Sequence, residues 1–296
     1  MTPFGSVLTA MITPFKDDGQ VDYEQVWRLA RYLTAHGSDG LVVTGTTGES
    51  PTLSADEKVA LYRTVVEAVA DRDVMVVAGT GTYDTAESVH LTSRAAAAGC
   101  HGILAVTPYY SRPSQEGLIA HFEAIADACD LPVMLYNIPG RTARRIEVES
   151  LKRLSGHPRI RAVKDAVMDI DFTSQTCHEA TELAVYSGQD SYTWPMLAVG
   201  AVGVVSVISH LAGEAVAALV SAAHKGDLGR ARELHHQLLA LSFACFAEPN
   251  PAPVKAAMNV LWEPVGRPRL PLLAASEATV TGIRKALEAV RAPMGA

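Results

Sequence analysis

The sequence predicts an α/β protein, a closed (β/α)8 TIM barrel with a C-terminal helical appendage, and three observations predict it. Short β-branched runs recur eight times with amphipathic stretches between them, and such strict alternation implies parallel strands joined by right-handed crossovers. A chain of 296 residues accommodates one such barrel, which typically takes about 250 residues. No GxGxxG opens a helix after the first strand, which argues against the alternative, an open doubly wound sheet.

Taken in order, Ser6 to Ile12 is the first strand, and Asp22, three residues before Gln25, starts the first helix, which Gly37 stops. Gly40 to Thr44 is the second strand, followed by a helix start in which Ser54 stands three residues before Glu57. Val74 to Gly79 is the third, with Asp84 before Glu87 opening its helix and Gly99 closing it. In all three starts the spacing is that of reciprocal capping. Gly102 to Val106, Pro132 to Asn137, Ile160 to Lys164 and Leu183 to Ser187 follow as strands.

The stretch from Ser191 to Gly213 carries no formally charged residue and is long enough to cross a bilayer, which takes about 20 apolar residues. Pro195, Gly200 and Gly203 divide it, however, and the β-branched VGVVSVIS that follows reads as a buried parallel strand, Gly203 to Val207, after a short helix. Helical segments then continue from Ala212 to about Val290, interrupted near Pro249 to Pro253 and around Pro264 to Pro271. The expected organisation is a catalytic barrel over residues 1–225 and a helical extension over residues 226–296 packed on it.

Composition narrows the function. A formal charge of −7, from 25 basic and 32 acidic residues, argues against a nucleic-acid surface, and the absence of any Lys or Arg run argues against a polybasic membrane patch. The N-terminal MTPFGSVLTAMITPF has no basic leader region and is broken by Pro3, Gly5 and Pro14, so a signal peptide is not expected. Cys100, Cys129, Cys177 and Cys245 are far apart and form no CxxC pair, the pattern of reduced core thiols in a cytoplasmic protein. Ten histidines include the neighbours His235 and His236 but no HExxH spacing, and no metal is expected. The default partner is a small molecule.

In such barrels the chemistry gathers where strand ends meet the βα loops. There Lys164 ends the apolar run Ile160 to Val163. Burial disfavours a cationic amine, and a neutral one attacks carbonyls. The ordinary alternative is a strand-end lysine that snorkels to solvent or pairs with Asp165. Strand two runs into Gly45, Thr46, Thr47, Gly48, Glu49 and Ser50, a turn whose hydroxyls and free N–H groups could hold a carboxylate, or an ordinary hydroxyl-rich turn. Strand four ends in Thr107, Pro108, Tyr109 and Tyr110, and strand five in Tyr136, Asn137 and, beyond, Arg141. Imine chemistry needs a proton carrier, and Tyr136, one strand from Lys164, is the best candidate; the competing reading is an aromatic plug with its hydroxyl at the rim. Arg141 offers a planar fork for a carboxylate, where a solvated loop arginine is the common alternative.

GTTGES from Gly45, AGTGTYDTAES from Ala78, TPYYSRPSQEG from Thr107, YNIPGRT from Tyr136, VKDA from Val163, SGQD from Ser187, GVVSV from Gly203 and NPAPVKAAM from Asn250 occur in this order. With them the chain resembles, over nearly its whole length, the dihydrodipicolinate synthase/N-acetylneuraminate lyase family of pyruvate-dependent class I aldolases. The resemblance implies that Lys164 forms a Schiff base with pyruvate and that Tyr136 carries protons, linked to Thr46 and Tyr110 in a hydroxyl relay. It implies that Thr46 and Thr47 bind the pyruvate carboxylate, that Gly188 and Val205 line the site through their backbones, and that Arg141 meets the carboxylate of L-aspartate 4-semialdehyde. The expected product is 4-hydroxy-tetrahydrodipicolinate, on the route to diaminopimelate and lysine, with no metal, nicotinamide or pyridoxal cofactor. The expected assembly is a homotetramer, a dimer of dimers in which Tyr110 crosses the tight-dimer interface.

Two rival readings stand beside this one. A sugar-acid aldolase such as N-acetylneuraminate lyase would share the imine but generally lacks an arginine at the position of Arg141. A catalytically inactive ligand-binding barrel is not excluded by fold, although it would have little use for Lys164, Tyr136, Thr46 and Tyr110 together. The resemblance also implies an effector site near Ser50, Glu87 and Tyr109. Here Ala55 and Lys58 occupy the helix after the GTTGES turn, where histidines are common in lysine-inhibited relatives, and Tyr83 replaces a frequent asparagine. An ammonium at Lys58 would repel a cationic effector, so weak or absent lysine feedback is expected.

Overall fold

The computed structural model describes residues 2–291. Eight strands, β1 (Val7–Ala10), β2 (Gly40–Val43), β3 (Met75–Gly79), β4 (Gly102–Val106), β5 (Val133–Asn137), β6 (Ile160–Asp165), β7 (Ala184–Ser187) and β8 (Gly203–Ser206), close in chain order into a parallel barrel. The closing pair is β8 with β1, registered Leu8 to Val205. Nearly every strand residue is buried, because a parallel strand is covered by the barrel interior on one face and by helices on the other. Each strand lies within the run expected for it, except that β6 extends one residue further, to Asp165.

Around the strands stand α1 (Tyr23–Ala35), α2 (Ala55–Ala68), α3 (Thr85–Ala97), α4 (Gln115–Asp127), the short α5 (Pro139–Thr142), α6 (Val148–Ser155), α7 (Ile170–Glu179), α8 (Thr193–Ala198) and α9 (Ser209–His224). The uncharged stretch is α8 followed by β8, and among the described residues no helix is long and apolar enough to cross a membrane. Reciprocal capping occurs at one of the three expected starts. Ser54 Oγ accepts from Glu57 N at 3.1 Å while the Glu57 carboxylate accepts from Ser54 N at 2.8 Å. Asp22 and Asp84 cap in one direction only, since Gln25 instead donates its side-chain amide to Glu263. Gly37 and Gly99 take the positive φ of helix stops, +95° and +88°.

Beyond α9 the chain turns at Gly226 into α10 (Leu228–Ala244), α11 (Ala252–Leu261) and α12 (Glu277–Arg291), with α10 packed against α9 and α12. Pro253 lies in the first turn of α11 and not in the break before it, where its missing N–H leaves no helical bond unmade.

Between β5 and β6 the ladder is irregular. Val133 pairs with Ile160 but Met134 with Ala162, so the exposed Arg161 has no opposite number. From there the register runs evenly to Tyr136 with Lys164 and Asn137 with Asp165.

Candidate active site

The register sets Tyr136 and Lys164 side by side at the C-terminal ends of β5 and β6, with both side chains on the same face. Lys164 is 5 % exposed and Tyr136 4 %. The Lys164 Nζ stands 4.2 Å from the Tyr136 ring centroid, over its face, a contact in which an amine meets π-density without an ion-pair partner. The lysine neither reaches solvent nor pairs with Asp165. Successive strand residues face opposite ways, and the Asp165 carboxylate turns to α7, accepting from Thr173 Oγ1 at 2.6 Å and from Val167 N at 2.9 Å. Burial holds the Asp165 carboxyl above the ordinary range, and those two hydrogen bonds oppose the rise.

Gly188, after β7, lies against this lysine. A Cβ there would come within 2.9 Å of Ala166 Cβ, 3.0 Å of the Asp165 carbonyl oxygen and 3.1 Å of Lys164 Cε, so only glycine leaves the side chain its path. Val205 is buried in β8. A further buried charge is Asp190, whose carboxylate accepts from Ser206 Oγ at 2.5 Å and from the Val207 and Ile208 N–H groups. Burial raises its pKa, those hydrogen bonds oppose the rise, and the positive charge of Lys164 opposes it further.

A cavity of about 220 Å³ opens at this mouth, lined by Thr46, Ser50, Tyr109, Tyr136, Arg141 and their neighbours. The Thr46 to Ser50 turn is held from beneath. Thr13 donates to the Gly48 carbonyl at 2.7 Å, and Glu49 sits in the left-handed region at φ 57° with its side chain buried. Thr47 lies behind Thr46, buried, its hydroxyl 2.9 Å from Asn250 Nδ2. Arg141, on α5, is exposed at the rim, so its guanidinium is available to a ligand that enters the cavity.

Not every expected residue gathers here. Lys164, Thr47, Gly188 and Val205 are buried or half-buried without themselves being among the residues that line the cavity, and Tyr110 does not line it either: at φ 70° it projects outward and is 95 % exposed. Among the described residues no hydrogen bond joins the Tyr136 phenol to Thr46 or Tyr110, so within one chain the relay is open. The residues expected at an effector site do form a cluster. Tyr83 meets Tyr109 edge-on at 5.4 Å. Burial raises the Tyr109 phenol, with Tyr83 and Glu87 adding to the rise. Lys58 is buried, which lowers its pKa against the opposing pull of Glu87.

Sequence reading assigned no role to Asn250, Glu49, Lys255 or Asp190. Lys255 is wholly enclosed, paired to Glu49 at 2.8 Å with side-chain exposures of 0 % and 1 %. Its remaining hydrogens go to the carbonyls of Thr13 and Arg267, and its Nζ lies 4.1 Å from the Phe15 ring centroid. The available signal was membership of a motif: Asn250 and Lys255 fall within NPAPVKAAM, Glu49 within GTTGES and Asp190 within SGQD.

A closed parallel barrel with a buried amine against a phenol at its strand-end mouth defines the class of lysine-bearing (β/α)8 enzymes. The sequence matches the dihydrodipicolinate synthetase family over residues 3–290. It is 51 % identical over 295 residues to the 4-hydroxy-tetrahydrodipicolinate synthase of Synechococcus elongatus, covering 99 % of this chain and 97 % of that one. Among solved structures, the dihydrodipicolinate synthase of Bacillus anthracis superposes with a TM-score of 0.93 at 43 % identity, over 99 % of this chain and all of that one. The enzyme of Cyanidioschyzon merolae, crystallised with lysine bound, gives 0.95 at 40 % identity over 98 % and 99 %. The chain belongs to the dihydrodipicolinate synthetase family.

Proposed function

We propose that this chain condenses pyruvate with L-aspartate 4-semialdehyde through a Schiff base at Lys164, giving 4-hydroxy-tetrahydrodipicolinate for diaminopimelate and lysine synthesis. The observation that carries the reading is the buried contact of Lys164 Nζ with Tyr136, which lines the cavity. Lys164 attacks the ketone carbon of pyruvate, and the carbinolamine loses water with Tyr136 shuttling the protons. The imine nitrogen accepts the electron pair released when the methyl carbon is deprotonated, so no cofactor is needed as electron sink. The enamine then attacks the aldehyde carbon, forming the new C–C bond. Finally the amine of the second substrate displaces Lys164 and closes the ring.

Thr46 and Thr47 are the proposed carboxylate site for pyruvate, with backbone groups of Gly188 and Val205 completing the lining. Arg141 is the proposed partner of the second carboxylate, since its fork at the rim suits a carboxylate better than a sugar hydroxyl. Borohydride reduction with pyruvate should leave a stable adduct on Lys164 by intact mass, and a coupled assay should favour aspartate semialdehyde over N-acetylmannosamine. An unchanged mass would refute the imine; preference for the sugar would move the chain to the sugar-acid aldolases; adduct without turnover would indicate an inactive barrel.

The finer readings are a cytoplasmic homotetramer, built as a dimer of dimers, in which the exposed Tyr110 completes the relay of a neighbouring subunit. Sedimentation velocity at micromolar concentration checks the assembly, a single monomer boundary being the contrary result. Lysine feedback is proposed to be weak, because Lys58, within the electrostatic reach of Glu87, presents a like charge to a cationic effector. Inhibition by millimolar or lower lysine in a steady-state assay would contradict this.

A further inference from the structure

We infer that Asn250, in the segment leading into α11, is a positioning residue that fixes the proton of the Thr47 hydroxyl as a donor for the keto-acid carboxylate. The inference rests on the carboxylate role proposed for Thr47. Asn250 is 5 % exposed and its Nδ2 lies 2.9 Å from Thr47 Oγ1. In the amide orientation of the structure the NH2 group donates and the threonine oxygen accepts, while Asn250 Oδ1 is buried with no hydrogen-bond partner among the described residues; the hydroxyl has a single hydrogen of its own. Among the described residues nothing else accepts that hydrogen. It is a buried, uncommitted donor one residue from Thr46, which lines the cavity. A free hydroxyl would divide its time between donating and accepting; with one lone pair taken, this one is left to donate.

The arrangement is held by a second rung. Five residues beyond Asn250, Lys255 pairs with Glu49, two residues beyond Thr47, and Arg269 N donates to the other Glu49 oxygen at 2.8 Å. The three hydrogens of the ammonium meet three acceptors, Glu49 and the carbonyls of Thr13 and Arg267. A turn with a left-handed Glu49 is therefore tied at both Thr47 and Glu49 to the chain beyond residue 226. The helical extension thus completes the substrate site instead of merely covering the barrel.

The discriminating variant is Asn250→Asp, which keeps the shape and reverses the polarity: a carboxylate would take the Thr47 hydrogen and turn a lone pair toward the substrate. The pyruvate KM should rise about tenfold while kcat changes less than about threefold, the signature of lost binding and not of lost chemistry. In a Thr47→Val background the same change should have no further effect on KM. Asn250→Ala serves the same cycle should the aspartate variant fold poorly, with thermal midpoints recorded alongside. An unchanged pyruvate KM, or an equal rise in the Thr47→Val background, would overturn the inference while the parent enzyme still forms its adduct. A parent enzyme that forms no adduct would overturn the underlying reading and the inference with it.

Discussion

At the scale of single residues, reactivity here is a matter of enclosure. Lys164 was legible because a lysine closing an apolar run at a strand end is chemically expensive to keep there, and Tyr136 because its strand is the neighbour. What no sequence pattern displays is how little room the amine has. A Cβ at Gly188 would stand 2.9 Å from Ala166 Cβ, 3.0 Å from the Asp165 carbonyl oxygen and 3.1 Å from Lys164 Cε, all closer than ordinary contact, and of the three the lysine side chain is the most flexible. Gly188→Ala should therefore displace the amine from the phenol face and slow borohydride trapping of pyruvate by about tenfold or more, given how steeply rate falls with misplacement on the order of 1 Å. Trapping at the parent rate would show that the lysine has another path. The positioning role inferred for Asn250 was illegible for a different reason: its partner Thr47 is 203 residues away, and a hydrogen bond between two polar residues leaves no periodicity.

Strands and helices were read more surely than their ends. Eight strands emerged from β-branched runs because each is buried on both faces, and that burial is what makes the runs so uniformly apolar. Capping was over-read. The Asp22 to Gln25 spacing is right, yet the Gln25 side chain bonds Glu263, a residue from the far end of the chain that local spacing cannot reveal. The Ser54 to Glu57 box is complete, so Ser54→Ala should cost about 1 kcal/mol. In a protein of this size that amounts to a fall of about 2 °C in thermal midpoint, with pyruvate trapping at Lys164 retained. A midpoint within error of the parent would mean that α2 is held by packing alone. The turn after β2 was read as a carboxylate cradle from its hydroxyls and glycines, whereas its left-handed Glu49 and buried ion pair belong to tertiary structure.

For the molecule as a whole, two enclosed histidines contribute to acid sensitivity. His210 donates from Nδ1 to the Val207 carbonyl and accepts from Ile12 N at Nε2, while His121 lies against Thr85 Oγ1. Burial lowers each to about 4, from an ordinary value near 6.5. Both are neutral in the fold at pH 7. The unfolded chain binds protons at these sites below about pH 6.5, and the fold does so only near 4. Stability is thus fully present above pH 6.5 and is lost as pH falls towards 4, with each site contributing on the order of 3 kcal/mol. Thermal midpoints measured across that window should fall steeply, and less so for His121→Leu; a flat profile would refute the assignment.

The irregular pairing of β5 with β6 decides where the amine stands. Were the ladder unbroken from Val133 and Ile160, Tyr136 would sit opposite Val163, and Lys164 would point outward, among the surrounding helices. The surplus Arg161 inverts that parity. The covalent catalyst proposed for this barrel therefore depends on counting as well as on composition, and a lineage could gain or lose it by the insertion or deletion of one codon, with Lys164 and Tyr136 themselves left unchanged.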